Sequence, residues 1–451
     1  MNVLQILYCR GVQLVFRLAQ PFLPYRSPKL LHQVHQIPRV LLEKKIHRVL
    51  LVTDFYLRSS GATQALEQSL TEQGITVAVY DQTRPNPTVE NVEAALYLYH
   101  KNNCKTLIAM GGGSSMDCAK AVGARVVYPR KSLSKLKGIL KVRRRLPPLI
   151  AIPTTAGTGS ETTVTAVITD TKSHHKYTMN NFTMIPHYAV LDPAVTLSLP
   201  SHLTATTGMD ALTHAVEAYI GRSTTAQTRK LALSATRLVF DNIETAVQEP
   251  QNIEARKQML LAAHRAGLAF SKSYVGYIHA VAHSLGGQYN IPHGLANAVL
   301  LPIGLEQYGS CIHKKLKALA IAANIAKETD PPEKAAEAFI RAIRELNHRL
   351  EMDDTLEGIL PQDIPTMAKY ASAEANPLYP VPRLMDAWEL ERLYYLVMKR
   401  RTPHDHPIHS RKTTAIFPQR SDSGSGLSQS PAEKTLCRCS KISTPNPRRT
   451  A

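Results

Sequence analysis

Apolar runs alternate with amphipathic stretches along the first half of the chain, from about residue 49 to residue 152. Four segments are short and mostly apolar, as in strands buried on both faces: RVLLVTD, ITVAVYD, TLIAM and PLIAIP. The segments between them, such as TVENVEAALYLYHKNN and SSMDCAKAVGARV, space their apolar residues as a helix does. Strands that alternate with helices predict a doubly wound parallel sheet.

This strand pattern stops at about Pro200. Five later stretches have helical spacing: SHLTATTGMDALTHAVEAYIG, TRKLALSATRLVFDNIETAV, EARKQMLLAAHRAGLAFS, HKKLKALAIAANIA and PEKAAEAFIRAIRELNHRL. After Met398 the chain is rich in Ser, Pro, Arg and Lys without periodicity, which predicts disorder. The sequence therefore predicts an extension over 1–35, an α/β domain over 36–198, an all-α domain over 199–398 and a disordered basic tail over 399–451.

The extension contains NVLQILYCRGVQLVFRLAQPFLP, which predicts an amphipathic helix. Arg10 and Arg17 interrupt its apolar residues, so it is too broken for a membrane span. No small-residue cleavage site follows it, as a signal peptide would require. Two interpretations stay open: the helix packs against the body of the protein, which we favour, or it lies on a membrane surface.

The net charge of +19 first suggests an acidic partner such as nucleic acid, but its distribution argues against one. The first 49 residues carry +7, Arg130 to Arg145 carry +8, and the chain from Arg401 onwards carries +6. The rest is close to neutral, and no aromatic residues interleave with the basic run, as a single-strand-binding surface would favour. Nucleic-acid binding is therefore not expected as the main function. Six scattered cysteines fit a reducing cytoplasm.

Two loops at strand ends have the composition of a nucleotide site. Gly111, Gly112 and Gly113 separate a predicted strand from a helix that begins with Ser114 and carries Asp117 in its first turn. Backbone N–H groups of such a loop, together with a helix N-terminus, favour an anion such as a diphosphate. The glycines fit neither the Rossmann fingerprint nor a P-loop, and a simple capped turn is the alternative.

The second loop, PTTAGTGSETT at 153–163, also follows a predicted strand. It offers hydroxyl groups to the same ligand, from Thr154, Thr155, Thr158 and Ser160. Asp54 closes the first of the alternating strands, where a carboxylate can accept from ribose hydroxyls and repel a 2′-phosphate. A plain helix cap is the alternative for Asp54.

Histidines and one aspartate recur at helical spacing in the second half. Asp210 and His214 are four residues apart and so share a helix face, and His279 and His283 repeat the spacing. His293 follows in a Pro-His-Gly turn. One carboxylate with three imidazoles is a plausible set for Fe(II) or Zn(II), although each pair alone is also compatible with packing. His264, with apolar neighbours, is interpreted as a packed or surface histidine.

Several motifs together resemble the iron-containing (group III) alcohol dehydrogenase family: GGGSSMDCAK, AIPTTAGTGSE, GMDALTHAVEAYIG, AHSLGGQYNIPHGLANAVLLP, PNPT and VPRLMDAWELE. The resemblance covers roughly residues 30 to 395. It implies a Rossmann-like dinucleotide-binding α/β domain and an all-α metal-binding domain, in the dehydroquinate-synthase-like architecture. The implied metal ligands are Asp210, His214, His279 and His293, and His283 falls where the family has a histidine close to substrate and nicotinamide. The implied cofactor contacts are Asn86, Gly112, Gly113, Ser114, Thr154, Thr155 and Lys176, with Asp54 favouring NAD over NADP.

The function that this resemblance implies is hydride transfer between a primary alcohol and NAD(P), with the alkoxide bound to Fe(II) or Zn(II) in the cleft between the domains. His283 would carry the proton. A glycerol- or polyol-type dehydrogenase of the same superfamily is one alternative, and a catalytically silent protein that binds an anionic surface is another. We expect a cytoplasmic homodimer or larger homo-oligomer whose partner is a small alcohol or aldehyde.

Overall fold

Parallel strands form the centre of the N-terminal half, as the alternating pattern predicts. In the computed structural model, which describes residues 1–171 and 175–399, the strands are β1 Lys29–Leu31, β2 Arg48–Val52, β3 Thr76–Tyr80, β4 Thr106–Gly111, β5 Gly138–Ile139, β6 Leu149–Pro153, β7 Thr165–Asp170, β8 His175–Asn180 and β9 Tyr188–Val190. Six of them form one parallel sheet in the order β1-β9-β6-β4-β2-β3.

Side chains of the central strands alternate between the two faces of this sheet. Leu107 and Ala109 of β4 belong to one buried cluster, and Ile108 and Met110 belong to another. Because helices cover both faces, every residue of β4 is buried. The predicted doubly wound sheet is therefore confirmed.

A smaller sheet follows, which the sequence pattern did not predict. Its order is β5-β8-β7, with β7 antiparallel to β8 and β5 parallel to β8. β5 is therefore an edge strand of this sheet.

The helices of the first half are α1 Val3–Ala19, α2 Ile37–Glu43, α3 Phe55–Ser59, α4 Gln64–Glu72, α5 Val89–Lys101, α6 Gly113–Val127 and α7 Leu133–Leu136. Those of the second half are α8 Ser201–Ile220, α9 Ala226–Gln248, α10 Ile253–Ser273, α11 Tyr277–Tyr289, α12 His293–Tyr308, α13 His313–Ala322, α14 Pro332–Arg349, α15 Ile364–Ala375 and α16 Ala387–Val397. The predicted all-α second half is confirmed for the described residues, in which no strand follows β9.

Helix α8 is the central element of the helical half. It packs against α9, α10 and α12, and most of its side chains, including Asp210 and His214, are buried. The large apolar core of this half also takes in Ala156 from the loop after β6. The helical half and the sheet half are thus joined through that loop.

The predicted N-terminal helix is present as α1, and it packs against the helical half. Its Arg10 guanidinium donates to the carbonyl oxygens of Val381 and Pro382, and its Gln13 amide donates to those of Pro377 and Tyr379. No described helix has the length and apolarity that crossing a membrane requires.

All described residues belong to one compact unit. The domain boundaries at 35, 198 and 398 stay predictions. The predicted disordered tail lies outside the described residues apart from Lys399.

Candidate metal and cofactor site

Three helices bring the four predicted metal ligands into one place. Asp210 and His214 come from α8, His279 from α11, and His293 is the first residue of α12. Donor atoms of Asp210, His279 and His293 all lie within 4.8 Å of one another. Asp210 Oδ1 is 3.8 Å from His279 Nε2 and 3.5 Å from His293 Nε2. These separations are those of atoms that face a common point without bonding to each other.

The donor set fits a divalent transition metal. The Nε2 atom of His279 and the Nδ1 atom of His214 are buried, and neither has a hydrogen-bond partner. A buried polar atom without a partner is costly, and a metal ion would satisfy it. One carboxylate with imidazole nitrogens suits Fe(II) and Zn(II) alike.

His214 lies beside the three-residue cluster rather than inside it. Its Nδ1 atom is 3.8 Å from Asp210 Oδ2, and its ring stacks on Phe270 at 4.1 Å between centroids. The ring also approaches that of His279 at 4.3 Å. This packing turns the Nδ1 atom of His214 towards Asp210. The role of His214 as a fourth metal ligand stays a prediction.

Burial keeps the ligand imidazoles neutral, which is the form that binds metals. It lowers the pKa of His279 well below the ordinary value, and repulsion from the neighbouring imidazoles adds to this effect. It also lowers the pKa of His293 to about 4, against the opposing attraction of Asp210. A neutral ring in each case keeps one nitrogen unprotonated, as metal binding requires.

Glu217 is a functional residue that sequence reasoning missed. Its carboxylate accepts from His279 Nδ1 at 2.6 Å and from the backbone N–H groups of Gly276 and Ile278. This contact fixes the His279 tautomer, so that Nε2 points towards Asp210. Burial raises the pKa of Glu217 to about 7, although those N–H donors oppose the rise. Glu217 lies on α8 seven residues after Asp210, a helical spacing that could have pointed to it.

Asn297 and Gly294 hold the α12 side of the cluster. The Asn297 amide donates to Asp210 Oδ1 at 2.7 Å and lies 3.2 Å from His293 Nε2. A Cβ atom on Gly294 would lie 2.3 Å from the carbonyl oxygen of Thr206 on α8. The Pro-His-Gly turn therefore needs its glycine, because only a residue without a side chain lets His293 approach α8.

His283 lies on the solvent-exposed side of the cluster and bonds Glu374, whereas His279 bonds Glu217. Its Nδ1 atom donates to Glu374 at 2.6 Å, and its ring stacks on that of His293 at 5.1 Å. The side chains of His283 and Glu374 are 43% and 36% exposed. The surrounding protein opposes a charge on His283, but attraction to Glu374 outweighs it and raises the pKa of His283. Glu374 also accepts from Tyr379, and no local motif marks it in the sequence.

The predicted cofactor loops meet at the carboxyl ends of β4 and β6. A cavity of about 290 Å³ lies there, and four of the eleven predicted cofactor residues line it: Asp54, Gly112, Thr154 and Thr155. Gly112 precedes α6, so the free N–H groups of that helix begin beside the cavity. Asp54 caps α3 through Leu57 N at 2.9 Å, so it is both a helix cap and a cavity residue.

Asp117 and Ser160 take part in a buried network beside the cavity. The Ser160 hydroxyl donates to Asp117 at 3.0 Å, and Lys120 Nζ donates to the carbonyl and hydroxyl oxygens of Ser160. The Lys120 side chain is fully buried, and burial lowers its pKa to about 8. This network joins α6 to the second loop, and a direct cofactor contact by Asp117 or Ser160 stays a prediction.

The other predicted cofactor residues lie close to these loops or on β8. The Asn86 N–H group donates to Ser114 Oγ at 3.3 Å. Thr158 packs against Gly113, where an added Cβ atom would lie 3.2 Å from its methyl group. Lys176 is half-buried on β8, and burial lowers its pKa. Their contacts with a cofactor stay predictions.

The second loop also contacts α8, the helix that carries Asp210 and His214. A Cβ atom on Gly157 would lie 2.6 Å from the carbonyl oxygen of Thr207, which is three residues before Asp210 on α8. His264 of α10 is buried and bonds Glu161 of the loop at 3.1 Å, which agrees with its interpretation as a packed histidine. One loop therefore lines the cavity and contacts the ligand-bearing helix.

Comparison with known proteins agrees with this arrangement. Residues 31–193 match the family described as iron-containing alcohol dehydrogenase, and residues 204–397 match the one described as Fe-containing alcohol dehydrogenase family, C-terminal. The 1,3-propanediol dehydrogenase of Citrobacter freundii is 38% identical over 362 residues, which is 79% of this chain and 92% of that protein.

Solved structures resemble the chain as well. A crystal structure of a 1,3-propanediol oxidoreductase matches with a TM-score of 0.79 and 34% identity, over 83% of this chain and 99% of that chain. A sulfoacetaldehyde reductase from Bifidobacterium kashiwanohense, in complex with NAD⁺, matches with a TM-score of 0.74 and 29% identity, over 83% of this chain and 98% of that chain. These relatives favour neither the polyol-type nor the catalytically silent alternative.

Proposed function

Because the chain belongs to the iron-containing alcohol dehydrogenase family and is therefore an NAD-dependent oxidoreductase of alcohols and aldehydes, we propose that it acts on short primary alcohols or diols at the site around Asp210. The names of its relatives, which include 1,3-propanediol dehydrogenases, support this substrate class. The observation that carries the proposal is the cluster of Asp210, His279 and His293 with a buried, unpartnered His279 Nε2 atom.

Asp210, His214, His279 and His293 are proposed to hold a divalent metal, with Fe(II) preferred and Zn(II) as the alternative. A metal held there supplies Lewis acidity, which lowers the pKa of an alcohol and polarises a carbonyl group. Glu217 orients His279 for this purpose, and Asn297 orients Asp210. The Glu217 carboxylate and the Asn297 amide thus fix these two donor groups before any metal binds.

His283 is proposed to hold and release the proton of the reaction at Nε2, because Nδ1 is already bonded to Glu374. It lies one helical turn after His279, on the exposed side of the cluster, where a substrate and water can reach it. Glu374 holds the ring in place and stabilises its protonated form. In this assignment His283 does not bind the metal, and His279 is the only metal ligand that α11 is proposed to supply.

The cavity beside Gly112 is proposed to bind part of the NAD molecule. The free N–H groups at the start of α6 would favour its diphosphate, and Asp54 would accept from ribose hydroxyls and repel the 2′-phosphate of NADP. The cytoplasmic location and the absence of a nucleic-acid partner are also proposals, which rest on cysteine usage and charge distribution. The homo-oligomeric state is likewise a proposal.

A steady-state assay with metal analysis tests the proposed function. The purified chain, loaded with Fe(II) or Zn(II), is assayed for NAD⁺ reduction with 1,3-propanediol, ethanol, 1-butanol and glycerol. We expect turnover of the diol and the primary alcohols and poor turnover of glycerol, whereas a preference for glycerol would support the polyol-type alternative.

His279→Ala should lose bound metal and activity together while the chain stays folded. His348→Ala is the matched control, because His348 is an exposed histidine that also bonds a carboxylate, Asp354, at 2.8 Å. Full metal content in His279→Ala, by elemental analysis, would show that the proposed ligand set is wrong.

A further inference from the structure

Helix α1 leaves its more apolar side uncovered. The side that contacts the body is mixed: Arg10 and Gln13 bond backbone carbonyl oxygens of residues 377–382, Cys9 is buried, and Phe16 packs on Tyr274. The outward side is apolar and more than half exposed at eight residues of α1 and the turn after it: Val3, Leu4, Leu7, Tyr8, Leu14, Val15, Leu18 and Phe22. We name these eight residues the α1 apolar face. A continuous apolar stripe of this kind marks an interaction surface.

A second surface feature is the basic segment, Arg130–Arg145, which has eight Lys and Arg residues and no acidic residue. Among the residues that the structure describes, none of the eight lies within ion-pair distance of a carboxylate. Lys131 and Arg144 instead stack on the ring of Tyr128. Ile139 and Leu140, in and after the edge strand β5, are 51% and 42% exposed within this segment. Apolar side chains are thus exposed here next to cations that form no ion pair with any described carboxylate.

The chain that follows α1 links the C-terminal end of this helix to the basic segment. Tyr25 packs on Phe182 at 4.8 Å between ring centroids, and Arg26 donates to the carbonyl oxygen of Pro186 at 2.7 Å. The Phe182 turn in turn bonds the basic segment, because the Thr183 hydroxyl donates to the carbonyl oxygen of Val142 at 2.7 Å. Burial, with repulsion from Arg145 as a further cause, lowers the pKa of Arg26.

The exposed apolar side chains and the cations together indicate which kind of partner these two surface features bind. A single-stranded nucleic acid would call for open aromatic rings among the cations. Tyr128 is already contacted by Lys131 and Arg144, Tyr177 is buried, and the exposed side of α1 is mostly Val and Leu. A second copy of the chain would bring another strongly basic surface close to this one, and like charges repel. An anionic lipid surface takes apolar side chains into its headgroup and acyl boundary and attracts Lys and Arg at its surface.

We propose that the α1 apolar face and the basic segment together bind this enzyme peripherally to anionic lipid. The helix lies along the lipid surface with its apolar face towards the lipid, because Arg10 and Gln13 on its other side are bonded to residues 377–382. The docking surface contains none of the residues proposed to bind metal, cofactor or substrate. Enzyme activity is therefore an independent control for folding.

Vesicle co-sedimentation of the full chain tests this proposal, with vesicles of phosphatidylcholine alone or mixed with phosphatidylglycerol. Leu7→Glu/Leu14→Glu disrupts the α1 apolar face, and Tyr370→Glu is its control at an exposed site on α15. Arg143→Gln/Arg144→Gln/Arg145→Gln removes three cations, and Lys334→Gln/Arg341→Gln/Lys369→Gln is its control on the helical half. Melting temperature and alcohol oxidation are measured for every variant.

We expect the wild type and both controls to bind the mixed vesicles far more tightly than the neutral ones. The arginine variant should lose binding on the order of 100-fold, since each cation near a lipid surface contributes roughly a fivefold factor. The Leu7/Leu14 variant should lose binding as well, with activity unchanged in both.

Three results would overturn the proposal. The first is absence of wild-type binding to either vesicle, and the second is equal binding to both or binding that survives in both variants. The third is a wild-type oligomer, seen by light scattering, that dissociates in the Leu7/Leu14 variant without any vesicle binding, which would make the face a contact between copies. Binding to a labelled single-stranded oligonucleotide in place of vesicles would likewise contradict it.

Discussion

His279 and His283 stand one helical turn apart on α11, and each donates to a different carboxylate. His279 bonds the buried Glu217, whereas His283 bonds the partly exposed Glu374. The partner decides what each ring can do: a neutral ring with a fixed tautomer can bind a metal, and a ring with a raised pKa can hold a proton. Two histidines on the same face of one helix are thereby suited to different roles, His279 to metal binding and His283 to proton transfer.

The first prediction at this scale separates proton transfer from metal binding. His283→Ala should keep its bound metal and lose roughly 10²–10⁴-fold in kcat, which is the usual contribution of a positioned acid–base group. Glu374→Gln keeps an acceptor for His283 Nδ1 but removes the charge, so its loss should be smaller. Metal content, melting temperature and kcat are measured on one preparation, with His348→Ala as control. Loss of metal in His283→Ala would make His283 a ligand.

The second prediction concerns the choice of cofactor. Asp54→Asn keeps a side-chain oxygen to cap α3 and removes the negative charge at the cavity. The ratio of kcat/KM for NADP to that for NAD should therefore rise by about 10-fold or more, because a close like-charge contact is worth on the order of 1–3 kcal/mol. An unchanged ratio, with the melting temperature retained, would remove Asp54 from the ribose contact.

The sequence predicted the donors of this site better than their supports. Asp210 and His279 each begin an i, i+4 pair and His293 stands in a Pro-His-Gly turn, and the structure brings the three together. Glu374 lies on α15, 91 residues after His283, and no local spacing links the two. Asn297 lies one helical turn after His293, but its bond to Asp210, 87 residues earlier, is a tertiary contact.

The loop at 153–163 is the element that joins the two functional halves. Its Gly159 packs on Gly267 of α10, where a Cβ atom added to Gly267 would lie 2.5 Å from Thr162 Oγ1 and 3.0 Å from the Gly159 Cα atom. The spacing of apolar residues predicted α10 correctly, but it could not predict the contact of this helix with the loop. The strands β1, β5, β7, β8 and β9 were not predicted either, because they are short or only half-buried.

Gly267→Ala tests how closely this loop must approach α10. Backbone atoms surround the added methyl group, so the loop and the helix must move apart, at an expected cost of about 1–3 kcal/mol in the free energy of unfolding. Gly287→Ala on α11 is the matched control, because nothing lies within 4 Å of its added Cβ atom. Urea unfolding measures both. Equal stability of the two variants would show that the contact is not tight.

Charge is distributed unevenly over the whole molecule, and this affects stability as well as binding. The net +19 is concentrated in the N-terminal residues, the basic segment and the residues after Arg401, as composition alone shows. The sequence could not show that the first two of these segments adjoin, because the contact of Tyr25 with Phe182 and the bond from Thr183 to Val142 are tertiary. Nor does amphipathic periodicity say which face of a helix stays uncovered, so the outward apolar face of α1 emerged only from the fold.

His187 links this charge distribution to acid stability. Burial, followed by repulsion from Arg26, Arg145 and Lys44, lowers the pKa of His187 from 6.5 to about 4. Its neutral Nδ1 atom accepts from the N–H group of Leu149 on β6 at 3.2 Å. Between pH 6.5 and pH 4 the unfolded chain binds a proton that the folded chain does not. The free energy of unfolding should therefore fall as the pH drops through this range.

The size of this effect is expected to be about 1–2 kcal/mol, because solvent reaches part of the ring and screens the charges. His187→Asn keeps an acceptor for Leu149 N and cannot titrate, so its urea midpoint should fall less between pH 6.5 and pH 4 than that of the wild type. All samples are metal-free, so that loss of the ion does not contribute. His32→Asn, at an exposed turn, is the control and should follow the wild type. Parallel pH dependences for the wild type and His187→Asn would mean that His187 gains its proton equally in both states.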